Sequence, residues 1–207
     1  MKKVTGYVCG GIAAGLMISL GSAVFLSCEN RYVGCLLFCI ALYCICVKGY
    51  YLYTGRVCGL VDDLSKDNFS LVFLSLLGNL AGTVPPALLL RAAIPAIGEK
   101  AASLCQGKLD GQELWQTFVR AVFCGIIVYL AVSIFKEENR SPVAIFVGIP
   151  AFILSGYEHS IADMFYFGAS GIVSVDAFVF IVTVIAGNSV GGILLPLFRR
   201  IDRWAKS

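Results

Sequence analysis

The only histidine of the chain, His159, is flanked by Glu158 and Ser160, and Asp163 follows one helical turn later. These residues lie in a stretch that is otherwise apolar enough to cross a membrane. An ionisable group at that depth is costly unless it lines a cavity or has a partner, so it marks a functional site. Histidine is also the side chain whose unperturbed pKa allows it to change charge near neutral pH. We therefore expect a solute to pass His159, with or without a proton.

The composition is that of an integral membrane protein. Of the 207 residues, 58% are hydrophobic and 14% are charged, whereas about 25% of a soluble domain is charged. The net charge of +3 is concentrated at the ends, in Lys2, Lys3, Arg199, Arg200, Arg203 and Lys206. Basic residues beside membrane spans favour the cytoplasmic side. We therefore expect a multi-pass protein of the inner (cytoplasmic) cell membrane, with both termini in the cytoplasm and no nucleic-acid partner.

The cysteines and the short motifs indicate no cofactor. The chain has nine cysteines, an odd number that lies mostly in apolar segments and does not resemble a disulfide framework. Cys44 and Cys46 have the wrong spacing for a zinc pair. The sequence contains no phosphate-binding Gly-x-x-x-x-Gly-Lys-Ser/Thr loop, so transport, if any, is expected to be passive or secondary.

Six apolar segments predict an all-α integral membrane protein with six transmembrane helices. They are Tyr7–Ser27, Tyr32–Tyr53, Phe69–Leu90, Leu114–Phe135, Val143–Phe167 and Ala177–Phe198. The second segment contains Gly49-Tyr50 beside Lys48, and the fifth contains Gly156-Tyr157. Non-helical backbone within a membrane is tolerated where it lines a cavity. We therefore expect spans two and five to be broken helices that line a pore.

The two halves of the chain also echo each other. Gly78-Asn79 in the third segment matches Gly187-Asn188 in the sixth, and each pair follows a Gly-Tyr break. Three spans per half give the halves opposite orientations, which is a recurring transporter design. We expect one transmembrane channel domain over 1–207, an inverted 3+3 repeat with halves of about 1–100 and 101–207.

Four motifs give the sequence a resemblance to the formate/nitrite transporter family. They are Leu52-Tyr53-Thr54-Gly55, Gly78-Asn79-Leu80-Ala81-Gly82, Gly156-Tyr157-Glu158-His159-Ser160-Ile161-Ala162 and Gly187-Asn188-Ser189-Val190-Gly191-Gly192. The resemblance implies an aquaporin-like protomer of six helices, a homo-oligomer of five protomers, and one pore through each protomer. It also implies passage of small monovalent anions such as formate, nitrite or hydrosulfide across the lipid bilayer.

The resemblance assigns roles to particular residues. It implies that Thr54 faces His159 across the pore and that Leu42, Leu52 and Phe152 form apolar constrictions. Lys108, expected in the loop before span four, loosely matches a lysine of the family. The sequence departs from the family pattern at Lys48, Tyr51, Gly125 and Asp163, where the family commonly has an uncharged, an acidic, an asparagine and an asparagine residue, respectively.

The expected mechanism is neutralisation of a weak acid at a central donor. A bare anion loses much hydration free energy in an apolar pore, and the positive ends of half-helices can attract it. His159 would then donate a hydrogen bond or a proton, so that a neutral weak acid crosses the constriction. Chloride could not be neutralised in this way. Transport would be linked to the proton.

Several residues keep a second interpretation. Asn79 and Asn188 either reach the pore or satisfy the backbone at the breaks. Glu158 has a structural interpretation, in which it accepts backbone N–H groups at the broken helix. Lys48 either snorkels to an interface, pairs with Glu158, or forms an electropositive vestibule that concentrates anions.

Two other function classes remain open at this point. A divalent-metal transporter would use Glu158, His159 and Asp163 as ligands, since His159 and Asp163 share a helix face. A cluster with only one histidine is weak evidence for such a metal site. An intramembrane hydrolase would use Glu158 and His159 on water, but the sequence offers no nucleophile motif. An enzyme is therefore not expected.

Overall fold

The computed structural model describes residues 2–207, which form nine α-helices, one short 3-10 helix and no β-strand. The α-helices are α1 (Lys2–Ser27), α2 (Arg31–Lys48), α3 (Tyr53–Arg56), α4 (Lys66–Ala93), α5 (Pro95–Asp110), α6 (Leu114–Glu137), α7 (Val143–Leu154), α8 (Ser160–Ser170) and α9 (Val175–Ala205), and the 3-10 helix is Val57–Val61. Five of them, α1, α2, α4, α6 and α9, are long and apolar enough to cross a membrane. The predicted all-α class is confirmed.

The predicted breaks in the second and fifth apolar segments are present. Gly49 and Gly156 both adopt φ of +71°, a left-handed conformation that glycine reaches without steric cost. The following N–H groups, those of Tyr50 and Tyr157, each donate to a carbonyl five residues earlier at 3.0 Å. The backbone after α2 and after α7 therefore closes in the same way, and each chain segment continues as extended backbone into a second short helix.

A buried asparagine from α4 holds the first break. The Oδ1 atom of Asn79 accepts the N–H of Tyr53 at 2.8 Å. Its Nδ2 atom donates to the carbonyls of Gly11 and Tyr51 at 2.8 and 2.9 Å. Backbone groups without a partner in a membrane are costly, and this one amide satisfies groups on both sides of the break while joining them to α1.

Asn188 of α9 holds the second break with the same set of bonds. Its Oδ1 atom accepts the N–H of Ser160 at 2.8 Å. Its Nδ2 atom donates to the carbonyls of Ala121 and Glu158, also at 2.8 Å. The matching Gly-Asn motifs of the sequence thus correspond to matching structures, and the interpretation in which these amides satisfy the breaks is the one that the contacts support.

Replacing either asparagine should therefore weaken the fold. Asn79→Ala or Asn188→Ala leaves one buried N–H and two carbonyls without this partner, at about 1–3 kcal/mol for each group that stays unsatisfied. We expect a lower free energy of unfolding in detergent for both variants. Thr183→Ala is the matched control, because the Thr183 hydroxyl donates only to the Val179 carbonyl of its own helix, at 2.8 Å. Equal stability of all three variants would contradict the role given to the amides.

The two halves also share a close helix crossing. The most extensive packing between helices joins α1 to α4 and α6 to α9. A Cβ atom at Gly82 of α4 would overlap the Ile12 carbonyl of α1, and one at Gly191 of α9 would overlap the Val122 carbonyl of α6. Small residues let membrane helices approach this closely. The paired crossings are those of an inverted repeat.

Both ends of the chain lie at the same end of the helix bundle. Lys3 near the start of α1 pairs with Asp67 at 3.0 Å, and Arg203 near the end of α9 pairs with Asp62 at 3.2 Å. Asp62 and Asp67 flank the connection before α4. An even number of crossings between the termini is consistent with this placement. That this end faces the cytoplasm stays a prediction.

Helix α5 is an element that the sequence analysis did not predict. Lys108 was expected in a loop, but it lies in the last turn of α5. Ile97, Ala101 and Cys105 are buried at intervals of one helical turn, and α5 packs against α8. That spacing is the usual signal of an amphipathic helix. The segment of α5 is too polar for a membrane span, and it was therefore wrongly predicted to be a loop.

Candidate functional site

The two breaks bring Thr54 and His159 together at the centre of the fold. Thr54 lies in α3, directly after the first break, and His159 is the residue before α8, directly after the second. Thr54 Oγ1 and His159 Nε2 are 3.0 Å apart, and the two residues are 0% and 4% exposed. The resemblance implied this pair, and the geometry makes it a buried hydrogen bond.

The contacts of His159 determine which nitrogen donates. Its Nδ1 atom accepts the backbone N–H of Ala162 at 3.2 Å, so it caps the N-terminus of α8. A nitrogen that accepts an N–H carries no proton, so the neutral ring has its proton on Nε2. Nε2–H therefore donates to Thr54 Oγ1. The described residues give the Thr54 hydroxyl no second partner, which leaves its own proton available to a third group.

A cavity of about 320 Å³ lies on one side of this pair. His159 and Phe152 both line it, and their rings stack with centroids 5.9 Å apart and planes at 28°. Phe152 is 4% exposed, so its ring covers the imidazole rather than standing free. The cavity also carries two arginines, Arg31 and Arg120. Basic, acidic and aromatic side chains therefore all line this cavity.

A smaller cavity of about 60 Å³ lies on the other side. Leu42 and Leu52 line it, together with Gly55, which directly follows Thr54. These two leucines are 2% and 3% exposed, so the space beside them is narrow and apolar. The two cavities have no lining residue in common. His159 and Phe152 thus line one cavity, whereas Leu42, Leu52 and the neighbour of Thr54 line the other.

Basic side chains also line the smaller cavity and its continuation. Arg56 and Lys136 line the small cavity, and Lys136 lines a neighbouring one of about 460 Å³ as well. The guanidinium of Arg56 lies 4.7 Å from the centre of the Tyr51 ring. Clefts lined by one sign of charge raise the local concentration of the opposite ion. The small cavity fits this description, whereas the neighbouring cavity also carries Asp62 and Glu137.

Lys108 of α5 meets two carboxylates at the inner wall of the larger cavity. Its Nζ atom contacts Glu158 Oε2, and it lies 3.0 Å from Asp163 Oδ1. The side chains of Lys108, Glu158 and Asp163 are 15%, 4% and 1% exposed. Gln112 donates to the other oxygen of Glu158 at 2.8 Å. The Glu158 carboxylate thus accepts hydrogen bonds from the side chains of Lys108 and Gln112, and only the backbone carbonyl of Glu158 bonds to Asn188 at the break. The expectation that the carboxylate accepts backbone N–H groups was therefore wrong.

Lys48 is the predicted site residue that the structure sets apart. It is the exposed last residue of α2 and lines neither of the two central cavities. It does not pair with Glu158, whose carboxylate is held by Lys108 and Gln112. The cations at the cavity mouths are instead Arg31, Arg120, Arg56 and Lys136, which the sequence analysis did not single out. Arg31 begins α2 and Lys136 lies in the last turn of α6, positions that the sequence alone attributes to topology, whereas Arg120 lies within α6.

The contacts do not favour a divalent-metal site at Glu158, His159 and Asp163. The ammonium group of Lys108 occupies the position between the two carboxylates where a cation would bind. Both ring nitrogens of His159 are engaged by Thr54 and by the Ala162 N–H. A metal ion would have to displace each of these partners.

Comparisons with known proteins agree with this geometry. The chain matches the family model for the formate/nitrite transporter over residues 1–199. It is 28% identical over 215 residues to formate-nitrite transporter 2 of Toxoplasma gondii, covering 93% of this chain and 46% of the relative. It is 28% identical over 172 residues to the nitrite transporter NirC of Escherichia coli, covering 77% of this chain and 63% of the relative. The chain thus spans about half to two thirds of the length of these curated relatives.

Solved structures agree on the fold. An ion channel of the FNT family superposes with a TM-score of 0.80 at 23% identity, covering 99% of this chain and 89% of that one. A pentameric formate channel with formate bound superposes with a TM-score of 0.82 at 22% identity, covering 99% and 98%. The aquaporin-like arrangement with two broken helices is therefore confirmed as the fold. With the family model matched over nearly the whole chain, this protein belongs to the formate/nitrite transporter family of membrane channels and transporters.

Proposed function

We propose that this chain is one protomer of a membrane channel for small monovalent weak-acid anions, with formate, nitrite and hydrosulfide as candidates. The observation that carries the proposal is the buried Thr54–His159 pair, 3.0 Å apart, near two cavities that each carry basic and apolar side chains. Such a pair offers hydrogen-bond donors at the point where an anion has lost most of its hydration.

The path begins at the larger cavity. Arg31 and Arg120 attract the anion to its mouth, and the N-terminus of α8 adds a partial positive charge beside His159. The anion then passes Phe152 and reaches the Thr54 hydroxyl, whose proton has no partner among residues 2–207. His159 Nε2–H supports that hydroxyl and can turn to the anion itself. Leu42 and Leu52 form the apolar floor on the far side.

His159 acts in this proposal as a neutral hydrogen-bond donor. A proton on Nδ1 would face the Ala162 N–H at 3.2 Å and break the cap of α8. The imidazolium form is therefore opposed by the local structure, and the proton that neutralises the anion comes from elsewhere on the path. Chloride can accept the hydrogen bonds but cannot hold that proton, so we expect it to cross far more slowly.

We further propose that five protomers assemble in the lipid bilayer of the inner membrane with both termini in the cytoplasm. The structural relative described above as a pentameric formate channel motivates the number five. Exposed apolar residues on α2, such as Leu36, Leu37 and Ile40, offer a surface for lipid or a neighbouring protomer. The helices α1–α4 and α6–α9 form the two proposed repeat halves, and the proposed division near residue 100 falls within α5.

The test is anion flux in proteoliposomes that contain the purified full-length chain. We expect flux of formate, nitrite or hydrosulfide to exceed chloride flux and to rise as the pH falls, because more anion then crosses as the neutral acid. Thr54→Val and His159→Asn should each lower weak-acid flux by about 10- to 10²-fold, the loss expected for one hydrogen bond to a charged group.

Thr183→Val is the control for this test, because its hydroxyl bonds only within α9. It should keep wild-type flux. Equal flux of chloride and of all three weak-acid anions in the wild type would overturn the proposed function. Wild-type flux in both Thr54→Val and His159→Asn would remove the central pair from it.

A further inference from the structure

The cluster formed by Lys108, Glu158 and Asp163 has more carboxylates than cations. One ammonium group contacts two carboxyl groups, and none of the three side chains is more than 15% exposed. If both carboxyl groups were ionised, the cluster would carry a net negative charge on the wall of a path proposed for anions. Two carboxyl groups that share one site usually hold one proton between them, because like charges at this distance disfavour double ionisation.

The neighbouring groups do not supply a second positive charge. Besides Lys108, the titratable groups near Asp163 are Cys105 of α5, Cys124 of α6 and Tyr166 of α8 itself. His159 lies on the same cavity as a neutral ring. Arg31 and Arg120 line that cavity too, but no ion pair joins either to Asp163 among residues 2–207; Arg31 donates to the Ile153 carbonyl instead.

The remaining helices packed against α8 add no charge at this point either. These helices are α1, α4 and α9. Arg91 of α4 lies at the far end of α8, against Gly171. Asp176 of α9 is exposed and lines a different cavity. Lys108 is thus the single cation that contacts the two carboxyl groups in the described part of the chain.

The hydrogen bonds distinguish the two carboxyl groups. Glu158 has a partner for each oxygen, Lys108 for Oε2 and Gln112 for Oε1. Asp163 has Lys108 for Oδ1, but its Oδ2 is buried without a partner among residues 2–207. A bare, charged oxygen in that position would be costly, whereas a protonated oxygen is neutral and can donate into the cavity that Asp163 lines. The proton of the cluster therefore belongs on Asp163 Oδ2.

We propose that Asp163 is a proton-binding site that supplies the proton for the weak acid. This inference rests on the proposed function. The O–H bond of protonated Asp163 breaks and an O–H, or for hydrosulfide an S–H, bond forms on the anion, which leaves an Asp163 carboxylate and a neutral acid. Lys108 at 3.0 Å then stabilises the carboxylate. A hydronium ion from water in the larger cavity restores the proton before the next anion arrives.

Infrared spectroscopy of the full-length protein, without any transported anion, tests the site directly. We expect the carbonyl stretching band of a protonated carboxyl group at neutral pH, shifted in D₂O, in the wild type. Asp163→Asn should lose this band, and Asp176→Asn, which removes an exposed carboxylate, should keep it. Absence of the band in the wild type, or its persistence in Asp163→Asn, would overturn the proposal.

Flux measurements test the transfer step. Asp163→Asn should lower weak-acid flux by about 10²-fold, the lower end of what a positioned proton donor contributes, and the remaining flux should depend less on pH than in the wild type. Asp163→Glu keeps a carboxyl group and should retain both the infrared band and part of the pH dependence, which separates loss of the proton from loss of folding. Unchanged flux and pH dependence in Asp163→Asn would overturn the transfer. A wild type that carries no weak-acid anion would refute the proposed function, while the infrared result still decides whether Asp163 binds a proton.

Discussion

Replacing Lys108 by methionine should destabilise the protein by about 3–5 kcal/mol, because removal of one partner from a buried ion pair leaves an uncompensated charge. Glu158 and Asp163 would lose their shared cation, and both are at most 4% exposed. The measurement is the free energy of unfolding in detergent. The double variant Lys108→Met/Glu158→Gln removes both charges and should recover much of the loss.

Lys3→Met is the control for this experiment. Lys3 also forms an ion pair, with Asp67 at 3.0 Å, but the two side chains are 75% and 56% exposed. Water screens such a pair, so its removal should change the stability far less. If Lys108→Met and Lys3→Met behaved alike, or if the double variant lost more than Lys108→Met alone, the buried cluster would not be a stabilising ion pair.

The second large effect concerns the crossing of α6 and α9. Gly191→Ala places a Cβ atom on the Val122 carbonyl. This clash is with backbone, which cannot change rotamer to relieve it as a side chain can. The helices must separate, which we expect to lower the free energy of unfolding by the upper part of the usual range of about 1–3 kcal/mol for overpacking. Anion flux should fall with it, because α9 carries the asparagine that holds the second break.

Gly6→Ala is the matched substitution for this test. Gly6 lies in α1 and a Cβ there would meet nothing within 4 Å. Since alanine favours a helix over glycine by about 1 kcal/mol, Gly6→Ala should leave the stability unchanged or slightly higher. A Gly191→Ala protein as stable as Gly6→Ala would show that the crossing can relax.

The sequence predicted the parts of the site that depend on local backbone. Gly49 and Gly156 indicated both breaks, because a left-handed turn there needs glycine. Asn79 and Asn188 were recognised as a repeated pair, although the sequence left open whether they serve the pore or the breaks. The resemblance to the family, rather than periodicity, gave Thr54 as the partner of His159.

The parts that could not be predicted depend on contacts between distant segments. Lys108 finds Glu158 and Asp163 only because α5 folds back against α8, and the sequence analysis had no helix there. Lys48 was singled out because it precedes a glycine, yet it is exposed at the end of α2. Charge partners across a bundle follow from helix packing, which no local pattern encodes.

The matching hydrogen bonds of Asn79 and Asn188 also determine which positions at the breaks can carry different side chains. The two amides hold the same backbone atoms in each half, but the residues held differ: Tyr51 and Tyr53 in one half, Glu158 and Ser160 in the other. Because the bonds go to main-chain groups, the side chains at those positions can differ between the halves while the backbone at each break keeps the same hydrogen bonds. One half therefore carries a histidine and acidic residues at its break, and the other carries a threonine and aromatic rings.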